Sequence, residues 1–276
     1  MSDPQGRVVV LTGASAGIGE AAAIELAARG ARVVAVGRDP QRLKAIGERV
    51  GVEGLRADFA SLSQVRGLAG ELLERHEHIH ALVNNAGLIA DRRRLTEDGH
   101  EMTFAVNHLA PFLLTNLLLD RLRASGPARV VTTSSDAHHR GRLDFEDLGG
   151  EGSWSSWGAY ANSKLANILF TRALAGRLDP AQVTANCLHP GVIRTRLGQG
   201  AGGALGAGWS LARPFFSSRR RGAETIVHLV ASPEGASVTG AYYARSRPAG
   251  TSAAAADYET AERLWKASRE LVGLDD

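Results

Sequence analysis

The chain has 276 residues, 44% of them hydrophobic and 22% charged, with a formal net charge of +3. That composition excludes wholesale disorder and suits one α/β domain with a large core. The mild basic excess, carried by Arg rather than Lys, fits a local anion site and makes no case for a nucleic-acid surface.

A single cysteine, Cys187, excludes an intrachain disulfide and a cysteine-based metal cluster, and its apolar setting reads as a buried thiol in a reducing compartment. Met1 to Arg7 is polar and lacks the charged start and apolar run of a signal peptide. No uninterrupted apolar run reaches the roughly 18 residues of a membrane span, so a cytoplasmic protein without a span is expected.

Val8 to Thr12 is a short apolar run of the kind buried on both faces of a parallel sheet. A glycine turn follows, Gly13-Ala14-Ser15-Ala16-Gly17-Ile18-Gly19, and then an Ala-rich helical stretch, Glu20 to Arg29, closed by Gly30. Strand, glycine turn and helix come in the order a phosphate site requires: the glycines let main chain approach a pyrophosphate, and the helix start offers free N–H groups. Arg32 to Val36 reads as the second strand, ending in Gly37-Arg38-Asp39. An acidic residue at that strand end grips adenosine ribose hydroxyls, whereas an Arg accommodates a 2'-phosphate. Arg38 therefore favours NADP(H), while Asp39 one residue on keeps NAD(H) possible.

A helix is expected over Gln41 to Val50, a third strand over Gly54 to Ala57 with Asp58 at its polar end, a helix over Leu62 to Arg75, and a fourth strand over Ile79 to Val83. That strand ends in Asn84-Asn85-Ala86-Gly87. Leu95 to Leu119 contains a long helix in which Asn107 is polar among apolar residues, and Pro111 removes a backbone bond to the carbonyl of residue 107. Arg129 to Thr133 is the fifth strand and delivers Ser134-Ser135; Tyr160 to Leu178 is a helix; Val183 to Leu188 is the sixth strand, ending in His189-Pro190-Gly191. The alternation implies right-handed crossovers and a Rossmann-type doubly wound parallel sheet, with ligands at the carboxyl ends of its strands.

On its helix, Tyr160 shares a face with Lys164 four residues later. A neighbouring ammonium favours phenolate, so the pairing is expected to pull the phenol from its usual value near 10 toward neutrality.

These motifs together resemble the short-chain dehydrogenase/reductase family from about Arg7 to Tyr243: Thr12-Gly13-x-x-x-Gly17-Ile18-Gly19, Asn84-Asn85-Ala86-Gly87, Asn107, Ser135, Tyr160-x-x-x-Lys164, and Pro190-Gly191 followed by Thr195. Ala159 to Phe170 and Thr260 to Trp265 look most like its retinol dehydrogenase and ketoreductase-type branch. The resemblance implies that Tyr160 is the general acid or base, that Ser135 rather than Ser134 positions the substrate oxygen, and that Lys164 holds the nicotinamide ribose. Asn107 would anchor a water. Cofactor contacts are implied for Gly13, Ser15, Gly17, Ile18, Gly19, Arg38, Asp58, Asn85, Ala86, Gly87, Tyr160, Lys164, Pro190, Gly191 and Thr195.

Ser135 and Tyr160 stand 25 residues apart, longer than in the commonest members. Trp154 and Trp157 between them either wall a substrate pocket or pin the segment. His138 and His139 read as solvated surface with no metal, because no third ligand lies at metal spacing. Leu197 to Ala212, with its six glycines and Trp209, reads as a lid within a substrate loop over about 194–222. The clusters Arg92-Arg93-Arg94 and Arg219-Arg220-Arg221 read as solvated loops. Ala249 to Ala256 reads as a linker, and a C-terminal helix over about 257–272 carries Leu264, Trp265, Leu271 and Val272 on an apolar side that packs on the body or on a second subunit.

A single-domain, cytoplasmic NADP(H)-dependent oxidoreductase is expected, acting as a monomer or homodimer on a hydrophobic or aromatic carbonyl or alcohol. The alternatives are an NAD-dependent alcohol dehydrogenase, or a biosynthetic member of the fold recruited to another reaction or to cofactor-dependent regulation.

Overall fold

The computed structural model describes residues 4–191 and 218–274. In chain order it contains β1 (Val8–Thr12), α1 (Gly17–Ala28), β2 (Arg32–Gly37), α2 (Pro40–Val50), β3 (Glu53–Arg56), α3 (Leu62–Arg75), β4 (Ala81–Asn84), α4 (Met102–Ala124), β5 (Ala128–Thr133), α5 (Ser156–Ala175) and β6 (Val183–His189). Beyond the undescribed stretch come α6 (Arg219–Ala231), α7 (Glu234–Ser237), β7 (Tyr242–Ala244), β8 (Arg247–Pro248), α8 (Ala253–Ala256) and α9 (Tyr258–Leu271).

The strands form one sheet of order β3-β2-β1-β4-β5-β6-β7-β8. It is parallel as far as β7, and β8 joins antiparallel at the edge. Because side chains alternate along a strand, Val8 and Val10 face one core layer and Val9 and Leu11 the other. Helices α3, α4, α5 and α9 cover the first face, and α1, α2 and α6 the second. The expected α/β fold is the one observed, and it carries the ends of β1, β4, β5 and β6 to one rim.

Helix α4 is interrupted by a π-helical turn, Ala105–Leu109, where the Ala110 N–H bonds to the Ala105 carbonyl. Pro111 cannot donate to residue 107, so the regular ladder lacks a rung exactly where the turn widens. Helix α4 is long and apolar enough by composition to cross a membrane, yet 78% of its most apolar window is buried inside the fold.

Helix α5 starts four residues before Tyr160, because the Ser155 side chain caps it by accepting from the Gly158 N–H. The expected linker over 249–256 contains α8, capped by Ser252 and with Ala255 fully buried. The apolar side of α9 is covered by this chain itself: Trp265 stacks with Phe170 at 6.0 Å and meets Phe112 edge-on at 4.9 Å. Burial of such side chains contributes roughly 1.5–3 kcal/mol each. Ser268, on the same helix, bonds His108 of the π turn at 2.8 Å, with both residues wholly buried.

Candidate active site

The rim carries one continuous cleft of about 1470 Å³, running from Arg38 past the glycine turn to Ser135, Tyr160, Lys164 and His189. At the glycine end the wall is main chain. Gly13 and Gly17 have φ of +69° and +64°, the left-handed region that favours glycine. A side-chain carbon on Gly19 would lie 2.3 Å from the Gly13 carbonyl oxygen, and one on Gly13 would lie 2.9 Å from Ala86 Cα. Thr12 lashes β1 to the end of β4: its Oγ1 accepts from the N–H groups of Asn85 and Ala86, each at 3.0 Å, and Asn85 Nδ2 donates to the Thr12 carbonyl at 3.0 Å.

A dinucleotide fits this end on two counts. The turn is held open by positions that admit no side chain, and α1 begins at Ala16 without a side-chain cap, so its first N–H groups are left for a ligand in the cleft. Gly13, Ser15, Gly17, Ile18, Gly19, Arg38, Asp58, Asn85, Ala86, Gly87, Pro190 and Gly191 all line the cleft, whereas Thr195 and the expected lid lie outside the described residues. Asp39 does not face a ribose position freely. Its Oδ1 caps α2 by accepting from Gln41 and Arg42 N–H groups at 3.0 and 3.2 Å, and its Oδ2 pairs with the Arg42 guanidinium at 3.1 Å. Arg38 is exposed and, among the described residues, has no bonded partner.

At the other end the wall is side chain. Ser134 is buried and donates to the Lys164 carbonyl at 2.7 Å, so it is spent on structure. Ser135 sits at the cleft, its Oγ accepting from the Ala137 N–H at 3.2 Å, and its hydroxyl acts to lower the pKa of the Tyr160 phenol. Lys164 Nζ donates to the Thr133 carbonyl at 3.0 Å and lies 5.5 Å from the Tyr160 ring centre. Asn107 is clamped by Leu88, whose N–H and carbonyl it bonds at 2.8 and 2.9 Å, and its Nδ2 donates to Ser163 Oγ at 2.9 Å. Ser163 in turn donates to the Tyr160 carbonyl at 2.7 Å.

Electrostatics at this end differ from the sequence expectation. Burial pushes the Tyr160 phenol up to about 12, partly offset by the Ser135 hydrogen bond, and pushes the Lys164 ammonium down to about 8. The loss of water costs both charged forms more than one cation at this separation returns.

The short chain dehydrogenase model matches residues 7–204. The chain belongs to that family. It is 40% identical to human retinol dehydrogenase 13 over 98% of this chain and 86% of the relative. It is 44% identical to the Streptomyces sp. (strain C5) protein DnrU, assigned as a daunorubicin C-13 ketoreductase, over 97% of this chain and 93% of that one. Among solved structures, an uncharacterized Mycobacterium paratuberculosis protein superposes with a TM-score of 0.80 at 35% identity, covering 98% of this chain and 94% of that one. A Shigella flexneri short chain dehydrogenase complexed with NADP gives a TM-score of 0.68 at 25% identity, covering 90% and 100%. This short chain dehydrogenase is therefore an oxidoreductase of alcohol and carbonyl groups.

In the dehydrogenase, Trp154 and Trp157 divide the roles left open by the sequence. Trp154 donates to Glu101 Oε1 at 3.3 Å and pins its segment to the start of α4, where Glu101 Oε2 accepts from the Phe104 N–H. Trp157 lines the cleft, its ring 5.7 Å from that of Tyr160, in an apolar cluster with Ile89 and Ala137. His138 corrects the surface reading: it is fully buried, with Nδ1 on the Ser135 carbonyl and Nε2 on the Ser252 N–H, while His139 stays exposed. Asp136, His138 and His139 lie within 4.8 Å of one another, but His138 has no lone pair left for a metal. Arg219, read as part of a solvated loop, opens α6, lines the cleft and lies 3.9 Å from Glu20. Nothing in a run of three arginines singles out the first; only the fold brings it, still exposed, to the edge of the cleft.

Proposed function

We propose that the protein is an NADP(H)-dependent reductase of ketones or aldehydes on an apolar or aromatic small molecule, able to run in reverse on the alcohol. The observation that carries this reading is the convergence of Ser135, Tyr160 and Lys164 on the end of a cleft whose other end suits a dinucleotide. A bound nicotinamide supplies the hydride. Tyr160 and Ser135 present two hydroxyls to the carbonyl oxygen, and Tyr160 passes its proton to that oxygen as charge develops there. A phenol raised to about 12 stands protonated at neutral pH, ready as an acid, which supports the reductive direction. Lys164, lowered to about 8, exchanges protons readily near neutrality and lies beside the phenol to restore its proton. The preference for NADP(H) is supported by Arg38, unpaired among the described residues, beside an Asp39 whose carboxylate is committed to its own helix. The Ile89, Ala137 and Trp157 wall supports an apolar substrate.

The test is NADPH and NADH oxidation with a panel of apolar carbonyls, in wild type and Tyr160→Phe. Turnover with NADPH is expected to exceed that with NADH, and Tyr160→Phe to lose roughly 10²–10⁴-fold. Unchanged turnover in Tyr160→Phe, or faster reaction with NADH, overturns the respective part.

A further inference from the structure

The peptide unit that follows Ser135 is held through both of its polar groups by imidazoles, one from the same turn and one from the end of β6. At its carbonyl, His138 Nδ1 lies 2.8 Å from the Ser135 oxygen, and His138 Nε2 lies 3.2 Å from the Ser252 backbone nitrogen. At its N–H, the Asp136 nitrogen donates to His189 Nδ1 at 3.3 Å, and His189 Nε2 lies 3.2 Å from the Asp136 carboxylate. A carbonyl oxygen can only accept and a backbone N–H can only donate, so the partners dictate the protons: His138 carries its hydrogen on Nδ1, His189 on Nε2. Each imidazole must be neutral, because protonation would set an N–H against an N–H. The Asp136 carboxylate also accepts from Tyr242 Oη at 2.7 Å, which ties the assembly to β7.

We propose that His189 and His138, in these neutral tautomers, are positioning residues that fix both polar groups of the Ser135–Asp136 peptide and thereby aim the Ser135 hydroxyl at the substrate oxygen. The inference rests on Ser135 holding that oxygen. Ser135 Oγ is itself bonded to the Ala137 N–H, so its direction follows the turn the imidazoles hold. Displacements below an ångström at such a group are costly to turnover. Protonation of either imidazole releases one end of the clamp, so turnover should fall toward acid. Burial holds both imidazoles below the usual 6.5. Around His189, Asp136 opposes that shift and Arg245 adds to it. Around His138, the Ser135 carbonyl and Asp136 oppose it, and His139 and His189 add to it.

The experiment measures kcat and KM against pH for wild type, His189→Leu and His189→Asn, each with Ser135 intact and with Ser135→Ala, together with NADPH affinity. Asn places an untitratable acceptor near the position of Nδ1. His189→Leu is expected to lower kcat about tenfold, with KM and NADPH affinity nearly unchanged, and to have no further effect once Ser135 is Ala. His189→Asn should recover most of that loss and weaken the acid limb. A His189→Leu effect equally large without Ser135, or an acid limb unaltered in His189→Asn, overturns the clamp alone. Unchanged turnover in Ser135→Ala overturns both the clamp and the role of Ser135. Should His189→Leu fail to fold, Tyr242→Phe, which removes one bond to Asp136, replaces it with the same expected pattern.

Discussion

At the glycine end of the cleft the wall is backbone: Gly13 and Gly19 leave room that any side chain would fill, and the first turn of α1 offers N–H groups no side chain has claimed. At the Tyr160 end the wall is side chain, and Ser135, Lys164, Asn107 and Ser163 each have bonded partners. One end works by what is absent and should be intolerant of added atoms. The other works by paired polar groups taken out of water and should be intolerant of deletions, although that removal has itself a cost in stability.

The sharpest break between the ends is Lys164→Met. Turnover should fall roughly 10²–10⁴-fold, while NADPH affinity changes far less. Stability should move the other way. Because the lysine is lowered to about 8 in the fold from 10.5, wild type should gain stability as pH rises between those values, by roughly 3 kcal/mol. Urea unfolding at pH 7.5 and 10 should show that rise in wild type and not in the variant, and parallel curves would remove the desolvation account. Next in size is Gly19→Ala, whose added carbon meets the Gly13 oxygen at 2.3 Å. Overpacking of about 1–3 kcal/mol should appear as a roughly 5- to 150-fold weaker NADPH complex. Undiminished affinity by titration calorimetry would mean the turn is not the snug element described. The smallest effect is expected at Gly87, where the ends meet: a carbon there would lie 3.2 Å from Asn107 Oδ1 and 3.7 Å from Lys164 Nζ. Gly87→Ala should lower kcat about three- to tenfold, for a strain near 1 kcal/mol, with NADPH affinity nearly preserved. A loss of affinity with intact kcat would place Gly87 on the dinucleotide side.

Much of the fold was legible in the sequence because apolar runs such as Val8–Thr12 and glycine punctuation are local signals, and the family motifs fell at strand ends. The π turn was legible only in part. Pro111 announced a missing rung near Asn107, but whether the helix kinks, breaks or widens depends on neighbours such as Leu88. Ala241 to Tyr243 was legible as a final strand, but its antiparallel partner β8 was missed because the turn between them places Arg245 and Ser246 at φ of 52° and 59°, where Asn-Gly would be the recognisable pair. His138 looked like surface because its burial comes from Tyr242 and Ser252, more than a hundred residues downstream. The shift of Tyr160 was misjudged for a related reason: spacing reveals a neighbouring charge but not how much water the fold removes.

Helix α9 has a bearing on the order in which the molecule can be made. Trp265 closes the aromatic cluster beneath α4 and α5, and Ser268 bonds Nε2 of His108, the residue next to Asn107. During synthesis, every side chain of the Tyr160 end has left the ribosome well before α9 is translated. Until α9 docks, the His108 ring lacks its Ser268 bond and the π turn beside it lacks its cover. The chain therefore has its chemistry written before it has the support that holds the chemistry in place, and a nascent chain stalled short of Tyr258 should carry all of the named catalytic residues in an unfinished site.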